Sequence, residues 1–252
     1  MPIWVTATQP LMFPPLYMYE RFARCHVVVI MEEAQHSRSA EHSWFQLGQK
    51  DGVHKIPVPC RDKNRRPMDE IAVAELDQWA DKLQKRCQHV YGKCDGYREV
   101  KTSFDGLLDH LVDKGPWTLA SLAETTMDWL AIELGLYPVI RKSKQLVPVR
   151  PEEPTEWLAR LTQAAGGTDY IQGVVSIENY FEKGRFAPKG IRLWGQNWPA
   201  PDAPRLCPEP TLRLSALDPL FVAGPDWCRQ AIGADLGTGT ANRTAVDMSA
   251  WA

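Results

Sequence analysis

Residues 3–8 (Ile-Trp-Val-Thr-Ala-Thr) and 27–31 (Val-Val-Val-Ile-Met) are continuous apolar, β-branched runs separated by eighteen residues. Each is too short for a core helix and lacks the alternation of a half-exposed strand. Both therefore predict strands buried on two faces. Pro10 ends the first, because proline donates nothing to a ladder. Pro14 and Pro15 suit a helix start, where the missing N–H costs nothing. Leu16, Tyr19 and Phe22 then give residues 16–24 one apolar face. Strand, helix and strand within roughly thirty residues make one βαβ unit, with a right-handed crossover. Ligands of such units gather at the carboxyl ends of the strands. Here those ends are Gln9 and the group Glu32, Glu33, Ala34, Gln35 and His36.

The remainder of the chain supplies cover and further strands. Residues 36–47, with Arg38, Glu41, His42 and Trp44, predict a loop or short helix at the mouth of the same site. Residues 55–59 predict a third, short strand, whose Pro57 and Pro59 favour an edge or a strand end. A helix is expected over 69–90, capped by Asp69 and stopped by Gly92 and Gly96. Further helices are expected over 104–111 and 119–134, the second ended by Gly135. Strands follow at 138–140, 168–172 and 190–194. Between them lie a helix from Thr155 to Gln163 and a helical turn over 177–181. Residues 198–210 hold five prolines and predict an irregular loop. Ser215 is placed to cap a helix over 216–222, and 226–232 forms one more turn. Strands alternating with helices imply an α/β fold with a mostly parallel sheet and helical cover. Residues 1–232 are expected as a single domain, with a possible subdivision at the proline-rich 148–154. Residues 233–252 are expected as a flexible, irregular tail.

Charge and cysteine spacing narrow the function. A net charge of -2 argues against a protein that holds a polyanion by bulk charge. The six cysteines contain no CxxC pair. Cys87, His89 and Cys94 lack the second pair that a zinc site needs. They read as thiols of a reduced compartment, and no metal or cofactor is expected. The start has no basic leader, and no apolar run approaches the roughly 18 residues of a membrane span. A cytoplasmic protein without membrane contact is the expectation. Walker, GxGxxG, HExxH and GxSxG motifs do not occur.

The candidate chemistry lies in the polar groups at the strand ends. Glu32 and Glu33 alternate in direction, so one faces a site as general base or amine anchor. His36 and His42 suit proton transfer near neutral pH. Gln9 offers a donor and an acceptor on a rigid turn, and Tyr17 a hydroxyl from the first helical turn. Two basic turns, one with Arg61, Lys63, Arg65 and Arg66 and one with Arg141, Lys142 and Lys144, could each hold phosphate.

Gln9-Pro10-Leu11-Met12-Phe13-Pro14, followed by Tyr17, resembles the opening motif of the WbqC-like proteins. Val28 to Gln35 is similar to that family's next motif, a strand ending in paired acids and a glutamine. The family typically has aspartates where this chain has Glu32 and Glu33. Ile56-Pro57-Val58 and the closing Leu214 to Phe221, with Gly224-Pro225, are similar as well. The family's arginine- and asparagine-rich segment is replaced here by residues 39–46, Ser-Ala-Glu-His-Ser-Trp-Phe-Gln. The resemblance implies a glycine or amino-acid transferase of surface-polysaccharide or related pathways.

The expectation is therefore a transferase joining a small amine or amino acid to an activated acceptor. The acceptor would be a phosphorylated hydroxymethyl pyrimidine in phage DNA or an amino sugar of a surface glycan. Glu32, Glu33, His36 and His42 would be catalytic. Gln9, Phe13, Tyr17, Gln35, Arg38, Lys142, Ser215 and Asp218 would bind substrate. The alternative is a non-catalytic module that binds a glycan or nucleic acid.

Overall fold

The structure is a computed structural model that describes residues 1–37, 41–61, 65–182, 184–199, 201–208, 213–234 and 245–248. Strand β1 (Trp4–Thr8) and strand β2 (Val27–Ile30) are buried along their whole length. Helix α1 (Leu16–Arg24) joins them. They pair in parallel from Val5↔Val27 to Thr8↔Ile30. This is the βαβ unit expected from the two β-branched runs.

The next segment departs from expectation. Residues 44–57 form a hairpin of β3 (Trp44–Gln49) and β4 (Gly52–Pro57), antiparallel and outside the main sheet. Phe45 and Leu47 are buried while Trp44 and Gln46 are half-buried. That period of two is a strand signal, which the histidines and glutamates upstream obscure. Strand β4 is thus half of a separate hairpin, and it ends at Pro57, as the prolines favour.

Helix α2 (Leu76–Tyr91) begins seven residues later than Asp69 would start it. Asp69 lies in a single 3₁₀ turn (Met68–Glu70). The backbone of 71–74 is claimed by other segments: Arg61 N–H donates to Ala72 O (3.0 Å) and Leu119 N–H to Ile71 O (2.8 Å). These bonds hold 71–74 extended. Helix α3 (Asp95–Asp113) starts before Gly96, which was expected to end the preceding helix.

Helix α4 (Leu119–Glu133) opens with a capping box between Thr118 and Ser121. It ends before Gly135, at φ +68°, the left-handed conformation that suits glycine after a helix. Strand β5 (Val139–Lys142) and helix α5 (Ser143–Leu146) follow. Helix α6 (Pro154–Ala164) is capped by Glu153, whose carboxylate accepts from Thr155 N–H at 2.7 Å. Thr155, expected to begin this helix, lies one residue inside it and accepts from Glu182 N–H at 2.9 Å. Strand β6 (Asp169–Gly173), helix α7 (Val174–Tyr180) and strand β7 (Arg192–Gln196) complete a second run of crossovers. Helices α8 (Leu217–Ala223) and α9 (Pro225–Ile232) come next. Within the segment expected as a tail, Ala245–Asp247 forms β8. The remainder of that segment beyond Ala234 lies largely outside the described residues.

The large sheet has the order β5-β2-β1-β6-β7-β8. Every pairing is parallel except β7 with β8. The strands flanking residues 148–154 share this sheet, since β5 lies at one edge and β6 beside β1. One face carries Trp4, Val28 and Ile30 against α1, α4 and α8. The other carries Val5, Ala7, Val27 and Val29 against α6 and Ile177 of α7. Among the described residues no helix is long and apolar enough to cross a membrane.

Gly96 is where α3 meets the junction of α8 and α9. A Cβ there would collide with Gly224 N and Leu220 O. Both are backbone atoms, so no rotamer change relieves the clash. Gly96→Ala should destabilise by about 1–3 kcal/mol, read by urea denaturation. An unchanged midpoint would contradict this packing.

Candidate functional site

The connections divide at β1. From β1 the chain passes through α1 to β2, and later reaches β5 at the edge. It returns by α6 to β6, on the opposite side of β1, and continues through α7 to β7. Helix α1 covers one face, and α6 and α7 the other. Between β1 and β6 the crossovers diverge, so neither covers the carboxyl ends. Ligands of open parallel sheets bind at such a switch point. A cleft of about 840 Å³ opens there, within the range of small-molecule sites.

Three kinds of group line it. The strand ends supply amides: Gln9 after β1, Gln172 in β6, and Gln196 and Asn197 at the end of β7. Tyr180, Phe181 and Trp198 form an aromatic side. Arg21 and Arg150 supply charge, and no aspartate or glutamate among the described residues lines the cleft. Arg150 lies over the Trp157 ring, 4.4 Å from its centroid.

Gln9 is held from behind by His42. Ser37 N–H donates to His42 Nδ1 at 3.1 Å. This assigns the ring proton to Nε2, which donates to Gln9 Oε1. The Gln9 oxygen is thus engaged, and its amide nitrogen is the group it offers the cleft. Burial, and then the neighbouring His36, pull the His42 pKa down to about 4. His42 is therefore neutral at physiological pH and orients Gln9.

On α1, Glu20 accepts from Arg24 and from Gln196 Nε2. Gln196 Nε2 also donates to Tyr17 O at 2.7 Å. This ties β7 to α1 at the mouth of the cleft. Tyr17 lines the cleft, and burial raises its pKa against the opposing charge of Arg21.

Beside the cleft, at the ends of β2 and β5, lies an acidic group. Met31 lines the cleft and Glu32 follows it. Burial, then the charge of Glu33, raises the Glu32 pKa. Glu33 accepts from Ser143 Oγ. Lys142 pairs with Glu124 at 2.9 Å.

The structure separates the remaining candidates from the cleft. His36 is buried with its Nε2 3.0 Å from Ser43 Oγ. Gln35 donates to Arg65 O at 2.9 Å. Phe13 is a core residue, at φ 41°, among Phe45, Phe104 and Trp129. Ser215 Oγ accepts from Leu217 N–H at 3.1 Å, at the start of α8. Asp218 is fully buried and accepts from Gly48 N–H (2.5 Å) and the Tyr91 hydroxyl (2.8 Å). It fastens the hairpin to α2 and α8. Arg38 and Lys63 lie outside the described residues. Of the basic turns, Lys144 pairs with Asp69, and Arg66 lies 3.6 Å from Glu70. Sequence reasoning passed over Arg21, Arg150, Gln172 and Gln196. Arg21 had a local signal: it stands one helical turn after Tyr17, on the same face.

A model of the WbqC-like protein family matches residues 9–230. The chain belongs to the WbqC-like protein family. The WbqC-like span begins at Gln9, in the cleft, and ends within α9. Searches of curated proteins and of solved structures returned no match.

The His42 environment makes stability depend on pH. The unfolded imidazole takes a proton below its ordinary 6.5, and the folded one only near 4. Between these values the unfolded state binds more protons, so stability is complete above pH 6.5 and falls towards pH 4. The loss attributable to this residue is roughly 3 kcal/mol. His42→Gln should remove most of that slope, and NMR titration should place the wild-type midpoint near 4. A midpoint at the ordinary histidine value would contradict the assignment.

Proposed function

We propose that this WbqC-like protein is a transferase joining a small amine or amino acid to an activated acceptor. The supporting observation is the contrast between two adjoining environments at one end of the sheet. The cleft beyond β1 and β6 holds amides and arginines and no carboxylate among the described residues. The end of β2 holds Glu32, with a raised pKa, beside Glu33. An ammonium group is best received by the acids, and an anionic, electrophilic partner by the cleft.

In this reading Glu32 takes a proton from the ammonium group. The freed nitrogen lone pair attacks the activated carbon, and a new C–N bond forms. The bond from that carbon to its leaving oxygen breaks, and the oxygen departs with the electron pair. Gln9, oriented by His42, donates a hydrogen bond from its amide nitrogen to the acceptor. The acceptor is a phosphorylated hydroxymethyl pyrimidine in phage DNA or an amino sugar of a surface glycan. A non-catalytic glycan- or nucleic-acid-binding module is the second reading. It has no need for a carboxylate of raised pKa beside the cleft.

The experiment is mass spectrometry of products after incubation with glycine or simple amines and each acceptor class. A product mass equal to the sum of donor and acceptor, less the leaving group, is expected. Glu32→Gln should lower turnover by about 10²-fold or more, as for loss of a general base, with the melting temperature nearly unchanged. A fully active Glu32→Gln enzyme would remove the base role. Absence of product with every pairing, alongside ligand binding, would favour the binding module.

A further inference from the structure

We infer that the switch-point cleft is a phosphate site, with Arg21 as its buried anion receptor and Arg150 as its outer clamp. The inference rests on the transferase reading only for the name of the reaction; the site itself is argued from charge. Arg21 is 5% exposed. Its Nε has no hydrogen-bond partner, and no ion pair joins it to a described residue. Its neighbour Glu20 is engaged by Arg24 and Gln196. At the β5 end, Lys142 is matched by Glu124 and Lys144 by Asp69, and the exposed Arg141 donates to Ile140 O. A buried guanidinium without a counter-charge is costly. A site that keeps one is set up for an anion that arrives with the ligand.

Charge count selects the anion. Arg21 reaches the cleft from α1, on one side of the sheet, and Arg150 from beside α6, on the other. Two guanidiniums suit the dianionic charge and multiple acceptor oxygens of a phosphate or pyrophosphate. A free amino acid would bring an ammonium group, and no carboxylate among the described lining residues could receive it. The cleft is also much larger than one phosphate group, at about 840 Å³. Tyr180, Phe181 and Trp198 offer flat surfaces for a ring carried by the same ligand. The ligand class is therefore a phosphorylated or pyrophosphorylated compound bearing a sugar or base ring. It occupies the activated-acceptor side of the proposed reaction, with (pyro)phosphate as the leaving group.

Calorimetry with inorganic pyrophosphate tests this on the full chain, without turnover. Wild type should bind, more weakly as salt rises. Arg21→Met and Arg150→Ala should each weaken binding at least tenfold. Arg21→Met should melt no lower than wild type without ligand, since it removes an uncompensated buried cation. Should Arg21→Met not fold, the exposed Arg150 variant decides the matter alone. Absence of pyrophosphate binding by wild type, wild-type binding in Arg150→Ala, or preference for acetate over pyrophosphate would each overturn the site. Pyrophosphate binding without transfer product from any donor would leave this site standing and remove the transferase reading.

Discussion

The reversal of connection direction at β1 governs this structure. Strand β1 is paired in parallel on both sides, to β2 and to β6. It is buried on both faces. The crossovers on its two sides run to opposite edges and pack on opposite faces. Each connection covers its own face and leaves the ends of β1 and β6 open. The cleft is therefore a consequence of topology. Gln9, Gln172 and Gln196 sit at strand ends, which hold them more firmly than long loops would.

Electrostatics then divide the rim into two halves. The β2–β5 end collects Glu32, Glu33 and Glu124 around Lys142, whose ammonium partly offsets their repulsion. The β1–β6 end has arginines without acids among its described lining residues. Glu20, next to Arg21 in α1, is engaged by Arg24 and Gln196. Gln196 comes from β7, so this contact ties the sheet to α1. His42 supports the same arrangement. Held neutral, it adds no charge and fixes one amide.

The legible parts of the fold were those fixed by local, doubly buried pattern. Strand β1, helix α1 and strand β2 follow from residues 3–31 because neither strand needs a partial face to be recognised. The mostly parallel sheet follows from the alternation of elements. Helix α2 was misjudged at its start because backbone bonds to Arg61 and Leu119 override the local preference of 71–74. Gly96 was misread because its neighbour, the α8–α9 junction, lies more than a hundred residues away in the chain. Gln9 was legible as a strand-end amide. Its orientation by His42 was not, since that pairing spans 33 residues. Asp218 and Ser215 carry polar groups that the core uses for its own backbone, which residue type alone does not reveal. Arg21 became meaningful only when its burial and missing partner were visible together.

The most direct measurement of the central claim is a crystal structure of the protein grown with a phosphorylated ring compound, such as a nucleoside diphosphate. The account predicts phosphate oxygens within hydrogen-bonding distance of the Arg21 guanidinium, with the ring against Trp198 or Tyr180. A phosphate bound instead in the groove between the hairpin and α2, beside Lys55, Lys82 and Arg86, with the cleft at β1 and β6 empty, would contradict it.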